Sequence, residues 1–194
     1  MTMDLMLTAV VAGVLGTIMM DILNHLFARA GIVLKIDLSM IGRMSTGWVH
    51  GRFLYRHPCE MQQVAYEKLY GYITHYAIGV GLTIPFVLGW DLFIGGAVSP
   101  VWALIYGIAT TIASVFFVYP SMGLGIFGWR SPEGIKAPLS SLANHFFFGL
   151  GMALAVAFVC AIYFIDQDQQ KPLIFGGSQH LLHETIINLR RVIQ

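Results

Sequence analysis

Four stretches of this 194-residue chain are long and apolar enough to cross a bilayer: Leu5 to Phe27, Tyr72 to Trp90, Val101 to Tyr119 and Leu142 to Ile165. A span needs about 20 apolar residues as a helix. Lipid offers no water to bond an open backbone, so a helix is the form each stretch must take. The prediction is an all-α, polytopic membrane protein: four transmembrane helices over residues 1–165, then a polar tail, 166–194. Composition agrees, with 57% hydrophobic and 11% charged residues against about 25% charged in soluble chains. The start, Met1-Thr-Met-Asp4, has no basic n-region and no Ala-x-Ala site follows it, which disfavours a cleaved signal peptide.

Charge predicts the orientation. The segment 28–71 carries Arg29, Lys35, Arg43, Arg52, Arg56 and Lys68, and the connection 120–141 adds Arg130 and Lys136. The stretch Asp91 to Pro100 has no Lys or Arg, and Lys171, Arg190 and Arg191 lie in the tail. Basic loops stay in the cytoplasm, so both longer loops are expected inside and both termini outside. A net charge of +1 excludes a general polyanion surface, and no nucleic-acid partner is expected. Cys59 falls in a loop and Cys160 in an apolar run, which argues against a disulfide between them.

Each span carries small residues at four-residue spacing, which keeps them on one slowly turning helix face. In the first they are Ala9, Gly13, Thr17, then Asp21 and His25; in the second Gly71, His75, Gly79, Thr83. The third has Ala103, Gly107, Thr111 and the fourth Ser141, His145, Gly149, Ala153, Ala157. Such stripes let membrane helices approach closely, so a close-packed bundle is predicted. Pro85 should bend the second helix, and Ser140 or Ser141 is placed to cap the fourth after Pro138.

Polar chemistry gathers toward the cytoplasmic end. His25, His75 and His145 are expected at one depth on three stripes, with Asp21 a turn deeper and Asn24, Thr74, Tyr76 and Asn144 as neighbours. Ionisable groups within spans usually face the bundle interior. Asp21, His75, Tyr76 and His145 therefore form the candidate polar cluster. Interhelical hydrogen bonding is its default reading. A metal or haem site on His75, His145 and His25 ranks second, and a proton or solute path third. Asp21 would also suit the role of fixing an imidazole tautomer.

Elsewhere the signals are weaker. Arg43, Arg52 and His57 are the loop candidates, with His50 and Arg56 nearby; contact with anionic headgroups is the default and a phosphate site the sharper idea, without a glycine-rich cradle to support it. Tyr119 to Gly128 holds Pro120 and three glycines and is expected as an irregular tight turn, or a lid, beside the histidines. In the tail, Leu182, Thr185, Ile186, Leu189 and Ile193 share a face, which predicts a short amphipathic helix. His180 to Glu184, His-Leu-Leu-His-Glu, has the wrong order for a zinc signature and reads as a solvated face.

Several of these stretches recur together in a known pattern: Met20-Asp21, Gly42-Arg43, Gly71-Tyr-Ile-Thr-His75-Tyr-Ala-Ile-Gly79, Pro120-Ser-Met-Gly-Leu-Gly125, Ser131-Pro132 and Ser141-Leu-Ala-Asn-His145-Phe-Phe-Phe-Gly149-Leu-Gly151. With these motifs the chain resembles an uncharacterised bacterial integral membrane family, domain of unknown function 2938, over about residues 5 to 160. The resemblance implies a bacterial inner-membrane protein and brings no activity, substrate or cofactor. His25 lies outside the matched motifs.

Two functions are expected on this basis. The first is a non-enzymatic accessory subunit of a larger membrane complex, or a small transport or permeability factor, with a cytoplasm-facing Asp/His cluster. The alternative is a metal- or haem-binding enzyme or electron carrier using His75 and His145. No catalytic signature decides between them.

Overall fold

The computed structural model describes residues 2–169, with side chains for 5–162. In chain order it contains α1 (Thr2–Arg29), α2 (Leu38–Val49), α3 (Glu67–Phe93), α4 (Pro100–Ala109), α5 (Thr111–Ala113), a π-helical turn (Ser114–Val118), α6 (Tyr119–Ser121) and α7 (Lys136–Gln169). Short 3-10 turns lie at Pro58–Glu60 and Ile126–Gly128, and no strand occurs among the described residues. Leu5–Arg29, Glu67–Phe93, Pro100–Ser121 and Lys136–Ile162 are four helical stretches of the length and apolarity of membrane spans, close to the predicted places. This is a multi-pass, all-α membrane protein. Met1–Val159 forms one compact unit; the second, Cys160–Gln194, is represented among the described residues by the last turns of α7. The expected tail helix and His180 to Glu184 lie outside the described residues.

Glycine sets how near the spans come. A Cβ on Gly13 would sit 2.6 Å from the Val80 Cα, one on Gly149 would sit 2.6 Å from the Leu104 carbonyl oxygen, and one on Gly151 would sit 2.7 Å from the Gly16 Cα. Thus α1 packs on α3, α4 on α7, and α1 on α7 with backbones in contact. Thr83 in α3 adds an interhelical bond, its hydroxyl donating to the Ala9 carbonyl at 2.7 Å.

The predicted stripes of the first and fourth spans hold near their starts and fail at their ends, while Gly71, Gly79 and Thr83 of the second stay buried. Ala9, Gly13 and Thr17 are buried, yet His25 is exposed; Gly149 is buried, yet Ala157 is exposed. Four residues turn a helix about 400°, so each four-residue step drifts about 40°. Over the 16 residues from Ala9 to His25, and from Ser141 to Ala157, the stripe has moved to the opposite side. That drift corrects the expectation of three imidazoles on one face. It also explains why Thr110, rather than Thr111, is the buried threonine of the third span.

The segment 28–71, expected as a loop, is folded. Asp37 opens α2 by accepting from the Ser39 and Met40 N–H groups at 2.9 and 3.1 Å. Gly42, Ser45, Thr46 and Gly47 are weak helix formers, which hid this helix from a propensity reading. Its inner face brings Ile41 and Met44 against Tyr55, Met61 and Met122 in a small core of its own. Gly42 lies against the Glu67 backbone carbonyl and Gly71 against that of Leu38, so α2 and the start of α3 touch through bare backbone. The Arg43 guanidinium grips the Glu67 carboxylate with two bonds of 2.7 and 3.0 Å.

The other long connection docks on this core. Gly123, at φ +78°, leaves room for the His57–Pro58 peptide, and a Cβ there would stand 2.5 Å from the His57 carbonyl carbon. Arg130 Nη1 donates to the Arg56 carbonyl at 2.9 Å. The two basic loops therefore build one cap over one end of the bundle, and the 119–128 segment is a tight turn within it.

One local expectation changes. Ser140 and Ser141 do not cap α7, which starts earlier at Lys136 with Pro138 in its first turn, where proline is tolerated. Around Pro85, α3 runs on to Phe93. There the Tyr106 hydroxyl donates to the Leu82 carbonyl at 2.8 Å, the kind of neighbouring-helix support that lets proline sit in a membrane helix.

Candidate functional site

Between cap and bundle lies a cavity of about 540 Å³, within the usual range of about 300–1,000 Å³ for small-molecule sites. Its walls come from α1 (Thr17, Met20), α3 (His75, Gly79), the third span (Thr110, Ser114) and α7 (Ser141, His145), and its roof from Ile36, Met40, Met44 and Trp48. The lining is mostly apolar, with hydroxyls and two imidazoles spaced through it. Lys35 and Asp37, both exposed, stand at the rim.

His75 turns one edge away from the cavity. Its Nε2 lies 3.0 Å from Asp21 Oδ1, and the Tyr76 hydroxyl donates to Asp21 Oδ2 at 3.2 Å. Asp21 is behind the histidine and does not line the cavity. A carboxylate at Nε2 holds a proton on that nitrogen, so His75 donates to Asp21. Asp21, His75 and Tyr76 thus come together as expected, bridging α1 and α3.

His145 is held from α4. Thr110 Oγ1 lies 2.8 Å from His145 Nδ1 and 2.5 Å from the Gly107 carbonyl oxygen. A threonine hydroxyl has one proton, and the carbonyl can only accept. The Thr110 proton is committed to Gly107, so its oxygen accepts from Nδ1–H of His145. That leaves Nε2 of His145 as an acceptor. One turn on from Thr110, Ser114 accepts from the Ser141 hydroxyl at 2.9 Å, in a π-helical turn of the sort that often marks functional sites.

Asn24 carries the roof. Its Nδ2 donates to the Leu34 carbonyl and to Asn144 Oδ1, each at 2.9 Å, while its Oδ1 accepts from the Ile36 N–H at 3.2 Å. The Leu34 N–H in turn donates to Ser140 Oγ at 2.9 Å. One buried side chain therefore ties the strap after α1 to both α1 and α7.

Other candidates stand elsewhere. His25 is on the exposed face of α1, away from His75 and His145. Arg43 is paired with Glu67, whose hydrogen bonds push the guanidinium pKa further above its ordinary value. Arg52 reaches Glu60 at 3.5 Å and lies 4.6 Å over the Tyr55 ring. His57 is exposed at the start of the Pro58–Glu60 turn. These three structure the cap and do not converge on an anion site. No group of three or more His, Cys, Asp or Glu among the described residues is placed to hold a metal ion.

Sequence reasoning missed Thr110, Ser114, Asn24's clamp and the cap roof. Asn24 and Asn144 were visible as buried-span amides with no assigned partner. Nothing local in the sequence indicated that α2 and the Leu34–Asp37 strap cover the histidines.

A family model, described as protein of unknown function (DUF2938), matches residues 10–159. The chain belongs to the DUF2938 family. The matched range starts inside α1 and ends inside α7, so the cap, the cavity and both imidazoles of this DUF2938 protein lie within it. No curated protein and no solved structure matches the chain.

Proposed function

We propose that this DUF2938 protein is a bacterial inner-membrane protein that binds a small, largely apolar molecule in the cavity beneath its cap, acting as a transport or permeability factor or as an accessory subunit of a larger complex. The observation that carries the reading is the cavity itself: about 540 Å³, mostly apolar, with His75 and His145 in its walls. Apolar walls with a few convergent polar groups are what small-molecule sites have in common. The cap holds most of the chain's Lys and Arg, which supports a cytoplasmic cap and outward termini.

The test is binding of a neutral apolar fluorophore, N-phenylnaphthylamine, to the full chain purified in mild detergent, with mass spectrometry of whatever molecule co-purifies. Ala113 lines the cavity, and Ala113→Trp fills it. Saturable binding that the filled variant loses supports the reading; binding that is equal in both proteins is detergent partition and sinks it. Metal content and a visible spectrum on the same samples would reveal a metal or haem on His75 and His145. For orientation, Cys59 is exposed in the cap. In a Cys160→Ser background, an impermeant maleimide should label Cys59 only after permeabilisation; labelling in intact cells would put the cap outside.

A further inference from the structure

The hydrogen bonds behind the cavity wall specify which kind of polar group belongs inside it. This inference rests on the cavity being a ligand site. Thr110 is 6% exposed, and its single proton goes to the Gly107 carbonyl, which fixes the proton of His145 on Nδ1. His145 Nε2 makes no hydrogen bond to any described residue and is therefore a lone-pair acceptor without a donor. On the facing helix, the His75 ring is engaged at Nε2 by Asp21. One imidazole, locked from outside by Thr110, thus offers an acceptor to a largely apolar space.

Three kinds of group can satisfy an imidazole lone pair: a metal cation, an ammonium, or a neutral O–H or N–H donor. A metal lacks a third His, Cys, Asp or Glu. An ammonium brings a charge that needs a carboxylate, and Asp21 is engaged by His75 and Tyr76 while Asp37 is exposed at the rim; buried charge without a partner is strongly disfavoured. A neutral donor meets neither objection, and among neutral donors a hydroxyl can also accept. It gives its proton to His145 Nε2 and can take one from Ser114, which follows Thr110 by one helical turn and lines the same cavity. We infer that the cavity takes a neutral, hydroxyl-bearing amphiphile, an alcohol or phenol with an apolar body, and that His145 Nε2 accepts its proton in a hydrogen bond.

The experiment compares para-propylphenol with its methyl ether as displacers of N-phenylnaphthylamine from the full chain in detergent. The ether is the more lipophilic, so partition alone favours it. A ligand hydroxyl paired with a buried acceptor is worth roughly tenfold in affinity. The phenol should therefore displace the probe about tenfold more tightly than the ether. His145→Phe should bring the ratio close to one while the ether still binds. Thr110→Val, nearly the same volume, frees the tautomer and should lower the ratio as well, so the test stands even where His145→Phe does not fold. Equal displacement by both compounds in the wild type overturns this inference and leaves the cavity reading intact. If the wild type binds neither probe nor displacer, or Ala113→Trp binds them equally well, the cavity reading fails and this inference goes with it.

Discussion

Replacing Asn24 by leucine is the most informative single change, because one side chain joins the membrane bundle to the cavity roof. Asn24 is 3% exposed and makes bonds to Leu34, Ile36 and Asn144. Leucine is of similar size, so the effect is polar and not a cavity. Each lost bond is worth about 1 kcal/mol net, and stranding buried partners adds to that; about 3 kcal/mol is expected. Asn144→Leu removes one of the three bonds and should cost about 1 kcal/mol. Two of the three hold the strap, so opening of the roof should become easier by about 2 kcal/mol, which is about thirtyfold. Lys35 is exposed on that strap. Cleavage there by trypsin tracks the open population when opening is fast. The measurement is therefore the Lys35 cleavage rate in native conditions alongside the SDS-unfolding midpoint in detergent. Unchanged cleavage in Asn24→Leu, or an equal loss in Asn144→Leu, would refute the clamp.

Backbone contact between α2 and α3 predicts that Gly71→Ala destabilises by about 1–3 kcal/mol, since its Cβ would run into the Leu38 carbonyl. Gly81→Ala in the same helix meets nothing within 4 Å and should be neutral or slightly stabilising; equal unfolding midpoints would contradict the close approach. His25→Ala should move stability by less than about 0.5 kcal/mol, as an exposed side chain does. Asp21→Leu, which strands His75 and Tyr76, should cost about 1–3 kcal/mol, and the reverse order in thermal melts would restore the three-histidine picture. For Arg43→Gln, loss of the two-bond fork to Glu67 should lower the cap-unfolding midpoint. The wild-type fork should keep its cationic partner at any ordinary pH: the raised guanidinium pKa means its proton, and the stability linked to it, is lost only on the far alkaline side.

Some of the site was legible in advance and some was not. Asp21, His75 and Tyr76 were placed together because ionisable residues on packing faces have few places to go in lipid, and the structure joins them within hydrogen-bond distance. His145 was located on its stripe, but its partner Thr110 was not. Choosing between Thr110 and Thr111 needs the rotation of α4 about its axis, which an apolar run leaves undetermined. His25 was misplaced for the same reason, a four-residue repeat taken past the point where a helix of about 3.6 residues per turn has carried it round. In the cap, Gly42 and Gly47 looked like breaks in a loop and are instead the places where α2 meets the Glu67 backbone and the Tyr55 ring.

By itself the sequence determined the four spans and the small-residue contacts that begin the stripes, because apolar length and local spacing act within one helix. Tertiary structure alone decided that the two basic connections fold into a cap, that the cap covers a cavity of about 540 Å³ over the bundle end, and that His145 Nε2 is left without a partner among the described residues. Those outcomes depend on residues far apart in the chain, Asn24 with Asn144 and Thr110 with His145. A hydrogen bond between distant segments has no signature in either one until packing brings donor and acceptor within about 3 Å.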